Sequence, residues 1–272
     1  IIVGVGTDYH MNNRGYFASG IPFTRIGSGP KPLIVFEGLT FEHKPQPAAM
    51  VKLYAFLGKD YTVYSVLRKP HPPKGYSLDD MANDYATIIG EEFPFPVDII
   101  GISTGGSVAL HFAALHPNLV RRLVIHSSAH TLNQKAKQLQ LDVARYAETG
   151  EWNKAWSALI ETIYPRTGFL SLLSKPIIGL SAFLLSLAHP KDATDLVVTV
   201  LAEDKHAFQD RLSEISCPTL VVGGEKDFFY SPELFRETAA GIPDAALCLY
   251  PKMGHPAHGK RFKKDVLAFL RV

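Results

Sequence analysis

The stretch Val97-Asp98-Ile99-Ile100-Gly101-Ile102-Ser103-Thr104-Gly105-Gly106 decides how this chain is read. Its first half is a short apolar run, which at this length predicts a buried strand. Its second half sets Gly101, Gly105 and Gly106 around Ser103. A helical pattern then continues to about Leu115, where His116-Pro117 stops it. Gly101 to Gly105 fits G-x-S-x-G. In that pattern a serine sits on a sharp strand-to-helix turn with unfavourable backbone angles. The small residues two before and two after let strand and helix approach.

Outward from this turn, short apolar runs alternate with helical patterns. Residues 14–27 predict a hairpin turning at Ser19-Gly20, and Leu33 to Phe36 a buried strand. Pro47 to Leu57 predicts a helix ended by Gly58, and Tyr61 to Leu67 a strand. Ser77 caps a helix whose apolar positions are Leu78, Met81, Tyr85, Ile88 and Ile89. Leu123 to His126 is the next strand. After Thr219 to Val222 come a helix over 232–240, a strand over 247–250 and a helix over 260–270. This rhythm argues for a mostly parallel sheet flanked by helices. It breaks once: residues 130–200 carry only helical signals, among them Trp152, Trp156, Leu159, Ile160 and the run Phe169 to Leu173. We expect residues 1–129 and 201–272 to form the core and 130–200 a helical cap. Open α/β sheets bind ligands at the carboxyl ends of their strands, so the cap would roof the site.

Two other residues stand where chemistry needs them. A serine hydroxyl is a poor nucleophile without a base, and the base needs an orienting carboxylate. Asp227 closes the run Val221 to Asp227 after one predicted strand, and His255 closes Tyr250 to His255 after the last. The order Ser, Asp, His is that described for α/β-hydrolases. His258 and Glu225 are the nearest rivals.

On Gly101 to Gly105, Gly223 to Asp227 and Gly254-His255, the chain resembles a capped, esterase-like member of the α/β-hydrolase fold. The resemblance implies Ser103 as nucleophile, His255 as general base and acid, and Asp227 as the group orienting the imidazole. It implies an oxyanion hole from the backbone N–H of Thr104 and of Leu39, which follows Gly38. Many relatives read His-Gly at the position where this chain has Glu37-Gly38. A carboxylate near that hole would repel developing charge unless it is turned away or paired, so Glu37 is expected to hydrogen-bond the loop. Dehalogenases and epoxide hydrolases of this fold use Asp at the nucleophile position, and Ser103 argues against those chemistries. Glu37, Gly38, His126, His130 and Phe228 are candidate pocket residues. His43, His111 and His116 carry no motif.

Composition bounds the rest. The 272 residues are 46 % hydrophobic and 20 % charged, ordinary for a globular protein. A formal charge of +2 gives no argument for nucleic acid. Cys217 and Cys248 read as buried free thiols, and no spacing suggests a metal. Gly4-Val5-Gly6 lacks the preceding strand a nucleotide loop requires. No cofactor is expected. The apolar stretch 176–188 is too short to span a bilayer, which needs about 20 residues. The chain opens at Ile1 without a Met, so an incomplete N-terminus is expected, with a removed signal peptide as the alternative; the expected location is cytoplasmic. The sequence leaves the oligomeric state open. The expected substrate is a hydrophobic small-molecule ester or lactone; no Arg or Lys stands out as a carboxylate anchor, although Arg68 and Arg145 could serve. The alternatives are a carbon–carbon hydrolase or acyltransferase on the same scaffold, or a slow-turnover ligand-binding receptor.

Overall fold

The computed structural model describes residues 13–49, 51–162 and 169–271, with the side chains of 169–174 outside the description. Gly4 and Gly6, and the side chains of Phe169 to Leu173, therefore fall outside the described residues. The strands are β1 (Arg14–Tyr16), β2 (Pro22–Ile26), β3 (Lys31–Phe36), β4 (Tyr61–Val66), β5 (Val97–Ile102), β6 (Val120–His126), β7 (Thr219–Gly224) and β8 (Ala245–Tyr250). They form one sheet in the order β1-β2-β4-β3-β5-β6-β7-β8. β1 and β2 pair antiparallel, as do β2 and β4; every other pairing is parallel.

Burial on both faces explains why the central strands read as continuous apolar runs. Every residue of β5 is buried. Ile99 packs in the layer of Tyr85, Phe112 and Phe36, whereas Ile100 and Ile102 pack with Tyr54, Phe262 and Val266. Helix α1 (Leu78–Glu92) starts at a capping box: the Ser77 hydroxyl accepts from the Asp80 amide, and the Asp80 carboxylate accepts from the Ser77 amide. Helix α2 (Thr104–Leu115) follows Ser103 directly. The predicted helix over 47–57 is a correction: only a 3₁₀ segment, Lys52–Leu57, forms. Pro45 and Pro47 lack amide donors and disfavour helix before them, and the Gln46 carbonyl accepts from the Thr24 hydroxyl at 2.6 Å instead.

Between β6 and β7 lie α3 (Gln134–Glu148), α4 (Trp152–Ile160), α5 (Phe169–Ser186) and α6 (Thr194–Asp204). Helices α3, α4 and α6 share a cluster of Val143, Ala147, Trp152, Ala155, Leu196 and Val200. α5 differs, burying Ile178 and Ala182 while exposing Ile177, Leu180, Phe183 and Leu184. Helices α7 (Pro232–Gly241) and α8 (Lys260–Arg271) flank β7 and β8. No helix among the described residues is long and apolar enough to cross a membrane. Cys217 is buried and Cys248 half-buried, and both are free thiols.

Candidate active site

Three strand ends converge on one point. Ser103, at the end of β5, has φ 51° and ψ −126°, in the left-handed half of the map that a side-chain-bearing residue avoids. Its glycine neighbours make that turn possible. A Cβ on Gly101 would stand 2.6 Å from both the Ala109 Cβ and the Gly105 carbonyl oxygen. A Cβ on Gly105 would collide with the Phe36 carbonyl. Helix α2 can lie this close to β3 and β5 only without those side chains.

His255 follows β8. Its Nε2 is 3.0 Å from the Ser103 Oγ, and its Nδ1 is 2.8 Å from the Asp227 Oδ2. An ionised carboxylate only accepts, so Nδ1–H donates to Asp227 and Nε2 is left to accept from the serine. Asp227, after β7, is held in turn: its Oδ1 accepts from the amides of Phe229 at 2.8 Å and Tyr230 at 3.2 Å. The Asp227 side chain is wholly buried and that of His255 is 15 % exposed, so one end of the series is dry and the other open. The rivals are elsewhere. His258 is exposed, with Nδ1 2.9 Å from the Pro256 carbonyl, and Glu225 is exposed.

Ser103 and His255 open into a cavity of about 280 Å³. Its walls include Glu37, Gly38, Leu39 and Thr40 from the turn after β3, and Phe229 and Pro256 near the partners of Ser103. Gln140 from α3 and Leu159 from α4 close it on the side of the inserted helices. Besides His255, Glu37 is its one acidic or basic lining residue among the described residues. A Cβ on Gly38 would stand 3.4 Å from the Ser103 Cβ, so that turn lies against the serine. The Thr104 amide opens α2, where the first N–H groups have no partner within the helix.

The anomalous Glu37 is paired away from the serine. Its Oε1 accepts from the Ser65 hydroxyl at 2.7 Å. Burial raises its carboxyl pKa, opposed by the Ser65 hydroxyl and the Arg68 charge. The expected bond to the loop is made to the Gly38 backbone, and Arg68 braces the same turn. Its guanidinium donates to the carbonyls of Glu37 and Gly38, each at 2.8 Å, and to His43 Nε2 at 3.2 Å. Arg68 is therefore buried and fully engaged, not a free carboxylate anchor. Arg145 pairs with Asp142 on the exposed surface of α3.

Two candidate pocket histidines are corrected by their placement. His126 is fully buried: its Nδ1 accepts from the Tyr54 hydroxyl at 2.6 Å, its Nε2 donates to the Ala257 carbonyl at 2.7 Å, and its ring stacks on Phe262. Burial drives its pKa down to about 3. His130 is buried against Thr238, whose Oγ1 meets its amide and its Nδ1 at 3.0 Å. Neither residue is among those lining the cavity. Phe228 gives way to Phe229, which lines the cavity and packs on the His255 ring.

Reading the sequence missed Gln140 and Glu203. The signal for Gln140 was present: it lies on the buried stripe Ala136, Gln140, Val143, Ala144, Ala147, where a polar residue is out of place. Among the described residues, no group of three or more His, Cys, Asp or Glu could hold a metal ion.

A model of the alpha/beta hydrolase family matches residues 34–263. The chain is 25 % identical over 181 residues to a pimeloyl-[acyl-carrier protein] methyl ester esterase of Chromobacterium violaceum, covering 64 % of this chain and 68 % of that one. It is 28 % identical over 185 residues to a 2-hydroxy-6-oxononadienedioate/2-hydroxy-6-oxononatrienedioate hydrolase of Cupriavidus pinatubonensis, covering 64 % and 62 %. Its backbone resembles the enol-lactonase from Burkholderia xenovorans LB400, with a TM-score of 0.75 at 19 % identity over 95 % of this chain and 100 % of that one.

Proposed function

The chain belongs to the alpha/beta hydrolase family, and we propose that it is a serine hydrolase cleaving an ester or lactone of a small, neutral, apolar molecule. The observation that carries the proposal is the hydrogen-bonded series Ser103, His255, Asp227 at the floor of a cavity with Leu39, Ile102, Leu159, Phe229 and Pro256 in its walls.

In this reading the Ser103 Oγ attacks the acyl carbon as His255 Nε2 takes its proton. The buried Asp227 carboxylate stabilises the imidazolium and fixes its tautomer. The amides of Leu39 and Thr104 donate to the tetrahedral oxyanion, where fixed dipoles in a water-poor site supply much of the rate. His255 returns the proton to the leaving alkoxide, leaving an acyl-serine. A water molecule, deprotonated by His255, then releases the acid and restores the hydroxyl. Residues 130–200, carried on to the end of α6, serve as the cap, with Gln140 and Leu159 shaping the acyl pocket.

Neutrality of the substrate rests on the lining. A diacid such as the one named for the Cupriavidus relative would need a cation for its far carboxylate. No Lys or Arg is among the described lining residues, and Glu37 would repel it. The test compares p-nitrophenyl butyrate with the p-nitrophenyl half-ester of succinate. The neutral ester should have the higher kcat/KM by about tenfold or more, one buried unpaired carboxylate being worth several kcal/mol. Equal or reversed preference would remove the neutral-substrate reading.

A further inference from the structure

Beneath the cavity lies a carboxylate that the proposed chemistry does not use. Glu203, on the last turn of α6, is fully buried. Its Oε2 accepts from the Thr104 hydroxyl at 2.6 Å, and its Oε1 accepts from the Ser107 hydroxyl at 3.0 Å and the Tyr230 hydroxyl at 3.4 Å. The side-chain amide of Gln140, which lines the cavity, also bonds it. Thr104, Ser107 and Tyr230 are themselves fully buried. No cation is hydrogen-bonded to the carboxylate among the described residues. Hydroxyls, one amide and the positive end of α2 hold it instead.

The partners are not arbitrary. Thr104 is the residue after Ser103, and the amide proposed to bind the oxyanion is its own. Tyr230 donates its backbone N–H to Asp227 at 3.2 Å. One carboxylate from the inserted helices thus grips the residue beside the nucleophile and the residue that holds the acid. We infer that Glu203 is a positioning residue for catalysis, fixing the Thr104 amide and the Tyr230–Asp227 turn relative to each other. This rests on the serine hydrolase reading above. Glu203 has no place in the cavity lining, so it acts on the reacting atoms only through Thr104, Tyr230 and Gln140.

A positioning role has a kinetic signature that a stability role lacks. Misplacing a catalytic dipole by a fraction of an ångström lowers kcat, while ground-state binding is untouched. In Glu203→Gln the new NH₂ faces hydroxyl donors that need an acceptor. On a short p-nitrophenyl ester we expect kcat to fall about ten- to a hundredfold with KM within about threefold. Thr104→Val removes the hydroxyl while keeping the amide, and should lower kcat in the same sense. The double variant should be little worse than Glu203→Gln alone, because both changes break one connection. A folded Glu203→Gln with wild-type kcat, or losses that simply multiply in the double variant, would overturn the inference. Should Glu203→Gln yield no folded protein, Thr104→Val decides alone, and a wild-type kcat there overturns it. Ser103→Ala, run alongside, reports separately on the hydrolase reading. Turnover persisting in Ser103→Ala removes that reading. An inactive Ser103→Ala beside a fully active Glu203→Gln removes only the inference.

Discussion

The Asp227 carboxylate meets the His255 ring at 2.8 Å, Oδ2 to Nδ1, and its other oxygen is already taken by the amides of Phe229 and Tyr230. The carboxylate therefore has one orientation, and it can only accept. That forces the His255 proton onto Nδ1 and leaves Nε2 facing Ser103. In Asp227→Asn the side-chain NH₂ can face the ring and favour the other tautomer, with the fold kept. We expect kcat on a p-nitrophenyl ester to fall about 10³- to 10⁴-fold with little change in KM. A loss under about tenfold would mean that Asp227 does not orient the base.

Arg68 holds the turn proposed to supply the Leu39 amide. It bridges two successive carbonyls, Glu37 and Gly38, from a fully buried position. Arg68→Met leaves both carbonyls and His43 Nε2 without a donor. This should cost about 3 kcal/mol of stability and lower kcat about tenfold. Arg68→Lys should recover little, since one ammonium cannot reproduce the planar fork. Thermal unfolding and steady-state kinetics check both variants, and full activity in Arg68→Met would separate the turn from catalysis.

Glu37→Gln should behave differently. The carboxyl is turned to Ser65, and a glutamine oxygen can accept the same bond. The variant should lose a few degrees in Tm, because Arg68 loses a nearby negative charge. Its kcat should stay within about threefold, as expected for a group that makes no bond to Ser103. A drop beyond tenfold would give Glu37 a direct part in the chemistry.

Acid should destabilise the fold through its buried imidazoles. His43, His126 and His206 each have a pKa lowered to about 3, chiefly by burial, against 6.5 for a free histidine. Below pH 6.5 the unfolded chain takes up protons that the folded chain refuses. Stability is therefore full above 6.5 and declines as pH falls towards 3, by about 1.4 kcal/mol per pH unit for each such residue. His126→Phe should flatten the slope between pH 6 and 4 by about that amount. An unchanged slope in denaturant unfolding would show that His126 is not neutral in the fold.

Much of this architecture is legible along the chain because local signals agree with it. Val97 to Ile102 matches the observed strand, and Ser77 caps α1 as expected. Ser103, Asp227 and His255 stand at strand ends that turn chemistry marks. What escaped was set by packing between distant segments. His126 reads like a pocket residue at a strand end, and only the positions of Tyr54, Phe262 and Ala257 show that it is core. Glu203 reads like an ordinary polar residue at a helix end, yet its partners lie up to 99 residues away in sequence. Nor does the apolar sequence of α5 by itself tell that Ile178 and Ala182 are buried while Ile177, Leu180, Phe183 and Leu184 are exposed.

The central claim is that the Ser103 hydroxyl is the nucleophile. The most direct measurement treats the protein with a serine-directed alkylphosphonate and locates the adduct by peptide mass spectrometry, with loss of esterase activity followed in parallel. The account predicts one adduct, on the peptide containing Ser103, forming in step with inactivation. It predicts none in Ser103→Ala, whose turnover falls at least about 10³-fold. An adduct on another residue that tracks inactivation, or a Ser103→Ala variant with wild-type turnover, would contradict it.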